Sequence, residues 1–542
     1  MSGGFVGAIR LARLAARRDR VTLPAWILAM SGFLAATTAM FEDSYTKHPQ
    51  LLEPDTRLVV ENPGMRVLGL VTGPSVGGYT LHRDALTLAV LAAMMSVLAV
   101  VRHTRQAEEL GREEMLAAGV IGHYASLASA VVLALAADIV LALMLGLAMI
   151  LAGQPIVGSL VAGASIALVG VAFTGVAAVT CQLASTTRGS IGMAGAVLAV
   201  AFMLAALGNI VGSVDSQALR VTSAWPSWLT PIGWAQQMRP FADDLWWPLG
   251  LGAALMAVLF AIAVALVGRR DVGRGMWAER RGAARASAAL LSPTGLVWRL
   301  QRGTLLGWAV GLLGFGLVFG ALSDRIQGLH GAAAEWYATF GGKTDLLGAY
   351  WASMTQIAGM AVSIYVVALL LRLHQDETQG TLEPVLGTAV SRLGWVGAYV
   401  VNALAGATLL ILLYAAAMAS TGGQMLGGTA DLLGDLVAAA LIQLPAIGLL
   451  GATVLAVTIV LPRWSIGLSW TLVVLSMFVG PMFGPSLRMP TWVLNLSPFT
   501  HVPNAPAVAI SYQPLLALGL CCIAVGVVAI LVLRRRNLLL PT

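Results

Sequence analysis

The sequence predicts an all-α polytopic membrane protein whose twelve transmembrane helices form two parallel six-helix repeats. Three observations carry that reading. Of 542 residues, 58% are hydrophobic and only 11% charged, with a mean hydropathy of +0.84, whereas soluble domains run at about 25% charged. Apolar runs near the roughly 20 residues that cross a bilayer recur twelve times. The second half also repeats landmarks of the first in order. Together these exclude a soluble enzyme, a disordered tail and a disulfide-stapled secreted module. Cys181, Cys521 and Cys522 sit at or within apolar runs and read as small hydrophobes.

The first element, within residues 1–21, is a basic amphipathic helix from Phe5 to Arg20. At about 100° per residue, Arg10, Arg13, Arg17 and Arg20 share one face, with Phe5, Ala8, Leu11, Ala12 and Ala15 opposite. Such a helix lies in the headgroup plane. The first transmembrane domain, residues 22–268, holds runs from Thr22 to Met40, Ala85 to Val101, Leu127 to Leu151, Ile156 to Val179, Ile191 to Val211 and Leu249 to Val267. An arginine-rich linker, residues 269–303, follows. It ends in a second interfacial helix opened by Ser292 as N-cap and Pro293 at the first helical position. The second domain, residues 304–533, holds runs from Thr304 to Leu322, Met354 to Leu371, Val396 to Met418, Leu436 to Val460, Ile466 to Phe483 and Leu515 to Leu533, before a tail at 534–542.

Alternating the loops between two sides places 23 of the 32 basic residues with both termini. That side is assigned to the cytoplasm, because Lys and Arg resist translocation. The net charge of +7 is thereby topological and requires no nucleic acid. The start of the chain shows no cleavable secretory signal, and a multi-pass membrane protein with both termini cytoplasmic is expected.

The internal repeat is specific. Arg17, Arg20, Thr22, Leu23, Trp26, Gly32 and Phe33 recur 282 residues later as Arg299, Arg302, Thr304, Leu305, Trp308, Gly314 and Phe315. Glu108, Gly111 and Glu114 recur at an offset of 269 as Glu377, Gly380 and Glu383. Near the end of each half, Leu229-Thr230-Pro231 matches Leu496-Ser497-Pro498, and the last span runs into arginines. An even number of spans per half gives both copies the same direction, hence a pseudo-two-fold axis along the membrane normal. The seam between such halves is the geometry of a transporter. A solid bundle that anchors or scaffolds is the plainer alternative.

The connection after the second span of each half is the most informative segment. It reads as a helix leaving the membrane, breaking near Gly111 or Gly380, and starting a short amphipathic helix with Met115 and Leu116, or Val385 and Leu386, on its apolar side. Pairs Arg105 with Glu109 and Glu108 with Arg112 stand at i, i+4 and would stiffen the first stalk. The string Glu377, Gly380, Thr381, Leu382, Glu383, Pro384, Ser391, Arg392 resembles the cytoplasmic signature of type-2 ABC exporter permeases. The whole plan resembles the tetronasin-resistance-type multidrug efflux permeases of actinobacteria, although Met115 stands where Pro384 does and Gly122-His123 where Ser391-Arg392 does. The resemblance implies a multi-pass permease of the bacterial cell membrane, surrounded by membrane lipid and exporting small amphipathic compounds, with Glu108, Gly111, Glu114, Glu377, Gly380 and Glu383 coupling it to two copies of a cytoplasmic ATP-binding subunit. ATP and Mg would be held there.

The chain has no cofactor of its own in this reading. Gly342-Lys343-Thr344 offers only the tail of a phosphate-binding loop, with Tyr337 where its first glycine belongs. The seven scattered histidines propose no metal site. In the implied fold the second and fifth spans face the seam. Substrate-path candidates are then Met94, Met95, Gln356, Met360, Trp470, Met477 and Phe478, alongside Thr87, Ser96, Met193, Met203, Met354, Thr355, Ser363 and Met482. Thioethers and rings suit varied apolar ligands. Asp138 is the carboxylate near the middle of a span, a functional candidate by default. It supports an alternative, a proton-coupled drug antiporter, against which the second half has Ala407 at the matching place. Export of a lipid or cell-envelope precursor is a further alternative. The segments Gly212 to Trp247 and Gly484 to Gln513, rich in tryptophan, are expected at the outer interface.

Overall fold

A computed structural model describes residues 2–61, 65–117, 121–271, 274–276, 284–326, 345–426, 428–477, 480 and 490–536. Among the described residues the chain is all-α but for one short hairpin, and eleven of their helices are long and apolar enough to cross a membrane. The expected fifth span of the second half begins as a 13-residue helix at Ser465–Met477. Most of its remaining residues lie outside the described ones, as does the Gly342-Lys343-Thr344 triplet. In lipid every backbone N–H and C=O needs an internal partner, which leaves helices as the default spanning element.

The chain divides into two compact units, Met1–Arg281 and Gly282–Thr542. Unit 1 opens with the expected amphipathic helix, α1 (Ala8–Arg18), ended by a turn at Asp19 before α2 (Thr22–Lys47). A short α3 (Leu52–Glu61) leads to α4 (Val76–His103), whose N-cap Ser75 accepts from the Gly78 N–H at 3.1 Å. Two short helices, α5 (Arg105–Glu109) and α6 (Arg112–Ala117), precede the spans α7 (Ala125–Leu151), α8 (Ile156–Leu183) and α9 (Thr187–Val211). The tryptophan-rich segment folds as an antiparallel hairpin, Ser213–Asp215 with Arg220–Thr222, then a 3₁₀ turn and α10 (Pro231–Gln237). There Thr230 caps α10 through the Gly233 N–H, and the Trp228 ring stacks on Trp247. α11 (Pro248–Val267) closes the unit.

Unit 2 runs through α12 (Pro293–Ala321), α13 (Ser323–Ile326), α14 (Leu346–Thr378), α15 (Glu383–Leu386), α16 (Arg392–Leu426), α17 (Thr429–Leu441), α18 (Leu444–Val460), α19 (Ser465–Met477), α20 (Thr491–Leu494) and α21 (Tyr512–Arg535). Ser292 caps α12 as the sequence suggests, accepting from the Gly295 N–H at 3.1 Å. The structure differs in one respect. Where a separate interfacial helix was expected, residues 293–321 form one unbroken helix, and Gln301, at the place of Asp19, is buried inside it rather than at a turn.

The two units pack their helices in the same internal order. In unit 1 the first long helix contacts the third (α2 with α7), the second contacts the third and fourth (α4 with α7 and α8), and the fourth contacts the last (α8 with α11). In unit 2 the same relations join α12 with α16, α14 with α16 and α18, and α18 with α21. Lipid tails are as apolar as leucine, so close backbone approach supplies much of the association. A Cβ on Gly163 of α8 would lie 2.1 Å from the Ala142 carbonyl of α7, and one on Gly320 of α12 would lie 2.3 Å from the Met418 carbonyl of α16. Gly316 and Gly320, four residues apart, seat α12 on α16 together. We expect Gly163→Val to cost about 1–3 kcal/mol or more through overpacking. It should abolish the monodisperse peak of the detergent-solubilised protein in size-exclusion chromatography, while Gly311→Ala, whose added methyl meets open space, leaves that peak intact.

Candidate functional site

The repeated connection after the second span forms a built structure in each unit. In unit 1 the Thr104 hydroxyl donates back to the Val100 carbonyl at 2.7 Å and the helix turns off axis into α5. Gly111 then adopts φ +67°, ends α5 and lets α6 start. In unit 2, α14 extends past the apolar run to Thr378, Gly380 adopts φ +73°, and α15 follows. L-residues other than glycine meet a steric penalty in this left-handed region. A Cβ at Gly111 would meet nothing within 4 Å. The repeated glycine thus answers a backbone demand.

The first glutamate of each copy, Glu108 or Glu377, turns inward. Glu108 accepts from Arg105 at 2.8 Å and from Arg270 at 2.9 Å, with a second Arg270 contact to its other oxygen. Arg270 donates through Nε to Gln182 at 2.7 Å, and Arg105 donates through Nε to the Cys181 carbonyl at 3.0 Å. This cluster ties the second span's extension to the end of α8 and to the chain leaving α11. A guanidinium on the last carbonyls of α8 also suits the negative end of that helix. Glu109 accepts the Thr187 N–H at 2.7 Å at the start of α9, the positive end of the next helix. Unit 2 repeats the tie. Glu377 accepts from Arg536 at 2.8 Å, just past the end of α21, and Arg392 donates to the Arg536 carbonyl at 3.0 Å.

These contacts correct the expected stalk. Arg105 turns to Glu108 rather than Glu109, and Glu108 turns to Arg105 and Arg270 rather than Arg112, because the turns at Thr104 and Gly111 interrupt the i, i+4 ladder. Glu383 stands exposed in the first turn of α15. The Glu114 backbone belongs to α6, and its side chain lies outside the described ones, as does that of Leu116. Apolar groups project beside it: Leu110, in the turn before α6, is 54% exposed and Met115 of α6 is 71% exposed. Sequence reasoning missed Arg270 and Arg536 as partners. The signal was present, since an arginine follows the last span of each half within a few residues of its end, but it was assigned to topology alone.

The path candidates separate by burial. Met95 and Met360 are core residues of their own units, and Gln356 donates to the Phe499 carbonyl at 2.7 Å as a buried tie. Ser96, Met354, Thr355 and Ser363 are buried too. Thr87, Met94, Met203 and Trp470 expose side chains, and Met193 and Met477 are partly exposed. Phe478 and Met482 lie outside the described residues.

Asp138 is fully buried. The Ser96 hydroxyl donates to it at 2.8 Å and the Thr174 hydroxyl at 3.4 Å, so it bridges α4, α7 and α8. Its counterparts in unit 2 exchange sizes: Tyr365 stands at the place of Ser96 and Ala407 at that of Asp138. A Cβ on Gly406 would meet the Tyr365 hydroxyl at 2.3 Å. A polar bridge in one unit and an aromatic wedge in the other thus join the second and third long helices. Among the described residues no group of three or more His, Cys, Asp or Glu is placed to hold a metal ion.

The Arg536–Glu377 pair is part-buried, so stranding one of its charges costs less than the full buried-pair penalty, up to about 3 kcal/mol. Arg536→Gln and Glu377→Gln should each lower the thermal midpoint of the purified protein, and the double variant should lower it by less than the two effects added. Additive effects would mean that the pair is not coupled.

Residues 290–534 match the family described as Multidrug efflux system permease Rv1217c, C-terminal domain. Over 541 residues the chain is 34% identical to the multidrug efflux system permease protein Rv1217c of Mycobacterium tuberculosis (strain ATCC 25618 / H37Rv), covering 98% of this chain and 96% of that protein. The chain belongs to the family of multidrug efflux system permeases that Rv1217c represents.

Proposed function

We propose that this chain is the membrane-spanning subunit of an ATP-driven exporter of small amphipathic compounds, of the tetronasin-resistance type, powered by two copies of a separate ATP-binding subunit that hold ATP and Mg. The observation that carries the reading is the repeated glycine break: after the second span of each unit a left-handed Gly111 or Gly380 starts a short helix outside the apolar run. The segment just before each glycine is tied by an ion pair to the chain leaving its unit's last span. In this reading α6 and α15 face the cytoplasm, with both termini, and seat in grooves of the ATP-binding subunits through Leu110, Met115, Val385 and the exposed Glu383. Glu108 and Glu377 act behind them, as struts that pass movement of the short helices to the spans. The family's printed name supports efflux, and twelve spans in two parallel halves is the topology that the internal repeat supports.

A proton-coupled antiporter through Asp138 fits less well. Asp138 is held by two hydroxyls in a packing role that unit 2 fills without any acid.

Capture of the protein from its native membrane should bring an ATPase in two copies per permease. Replacing both Leu110 and Met115 by Ala should cut substrate-stimulated ATP hydrolysis about tenfold, a coupling loss of roughly 1.4 kcal/mol, while Asp138→Asn leaves stimulation in place. Transport that runs on a proton gradient without ATP and stops in Asp138→Asn would transfer the assignment to the antiporter.

A further inference from the structure

Beneath α1, where it lies over α6 and the start of α7, is a cavity of about 300 Å³ lined by both charged and apolar side chains. Arg18 and Arg112 line it, and among the described residues neither has an ion-pair partner. The neighbouring bases are already engaged: Arg102 pairs with Asp19, and His103 contacts the same carboxylate at 2.6 Å. Burial, then the nearby Arg112 and Arg102 charges, hold the Arg18 guanidinium below its usual range, with Asp19 opposing. Two cations therefore line one small space in which the carboxylate is Glu113, and it is paired with neither.

The same cavity holds the opposite need. One oxygen of Glu113 accepts from the Ser126 hydroxyl at 2.5 Å, while the other, Oε2, is buried and has no hydrogen-bond partner among the described residues. Burial pushes this carboxyl above the ordinary range, with Glu108 adding to the shift and Ser126, Arg270 and His123 opposing it. Buried acceptors without donors are rare in folded proteins and call for an explanation. Around the polar centre stand Leu11, Leu14 and Met115, the last two largely exposed. The wall thus offers two phosphate-binding guanidiniums, one carboxylate oxygen lacking a donor, and an apolar border on an interfacial helix.

We propose that this cavity holds the headgroup of a phospholipid bearing a primary ammonium, such as phosphatidylethanolamine, with its phosphate between Arg18 and Arg112 and its ammonium on Glu113 Oε2. Guanidinium suits phosphate because its planar fork matches two oxygens at once. An ammonium with three N–H donors supplies what the second Glu113 oxygen lacks; a choline headgroup has no such donor, and a glycerol headgroup carries no positive charge. The occupant is a membrane lipid rather than free phosphate, because the cavity lies under an amphipathic helix whose exposed Ile9 and Leu14 belong at the acyl boundary. A lipid seated there would hold α1 against α6, one of the two helices proposed to meet the motor. The inference concerns lipid recognition alone and stands whether or not export is ATP-driven.

The test is native mass spectrometry of the full-length protein, released from nanodiscs containing equal amounts of phosphatidylethanolamine, phosphatidylcholine and phosphatidylglycerol with identical acyl chains. Wild type should retain phosphatidylethanolamine at least about fivefold over either of the others. Glu113→Gln, which can still accept from Ser126, should erase the preference over phosphatidylcholine. Arg112→Gln should lower retention of all three, and the exposed Arg18→Gln supplies the same reading should Arg112→Gln fail to fold. Equal retention of the three lipids by wild type, preference for phosphatidylglycerol, or an unchanged preference in Glu113→Gln would each overturn the proposal.

Discussion

The architecture rests on close backbone approach between helices in a solvent that does not drive them together. Inside water an apolar stripe is enough to bring two helices into contact, but a bilayer treats that stripe and its surroundings alike. What remains is dispersion across short distances, and it is strongest where side chains are absent. Gly163 against Ala142, and Gly316 with Gly320 against Tyr414, Ala417 and Met418, are such places. They fix α7 on α8 in one unit and α12 on α16 in the other. The order of packing that the two units share follows from contacts of this kind together with a few polar bridges.

The polar bridges explain why the halves diverge while keeping that order. Ser96 and Asp138 give a short hydrogen bond where the second long helix meets the third, and Tyr365 above Gly406 fills the corresponding space in unit 2. Each solution satisfies its own polar atoms: Asp138 by two hydroxyls, the Tyr365 hydroxyl by donating to Gln301 at 2.8 Å. Exchange of one residue without the other would leave a buried acid lacking its hydroxyl donor, or a ring without room. The two units of this chain differ at both positions together, and the carboxylate by itself is weak evidence of proton traffic.

Much of this was legible in the sequence. Composition and run length gave the membrane, the repeat located Glu108, Gly111, Glu377 and Gly380, and Ser292-Pro293 announced the start of α12. Partners were not legible, for a physical reason. Arg270 lies 162 residues from Glu108, and Arg536 lies 159 from Glu377. No helical periodicity reports a contact between a second and a sixth span. Arginine after a last span has a sufficient topological explanation, so its second use stayed hidden. Burial within a span was equally obscure: adjacent Met94 and Met95 differ from 42% to 2% exposed because successive side chains point about 100° apart on a helix, and an almost wholly apolar span carries no polar face to show which one points inward.

The difference at Asp19 shows how one substitution sets local geometry. Asp19 and Gln301 occupy the same place, 282 residues apart, and each ties the start of its first long helix to a neighbour. Asp19 pairs with Arg102 and His103 at the end of α4, while Gln301 donates to Asn402 at 2.9 Å and accepts from Tyr365. A carboxylate is unfavourable at the negative end of α1 and favourable at the positive start of α2. The turn between those helices gives it both relief and two basic partners. Glutamine carries no charge and helix propensity close to the best, so α12 runs straight through. The amphipathic α1, set apart from α2 by the turn at Asp19, packs on α7 and borders the cavity lined by Arg18, Arg112 and Glu113, whereas the other half, with Gln301 at that place, has one continuous helix.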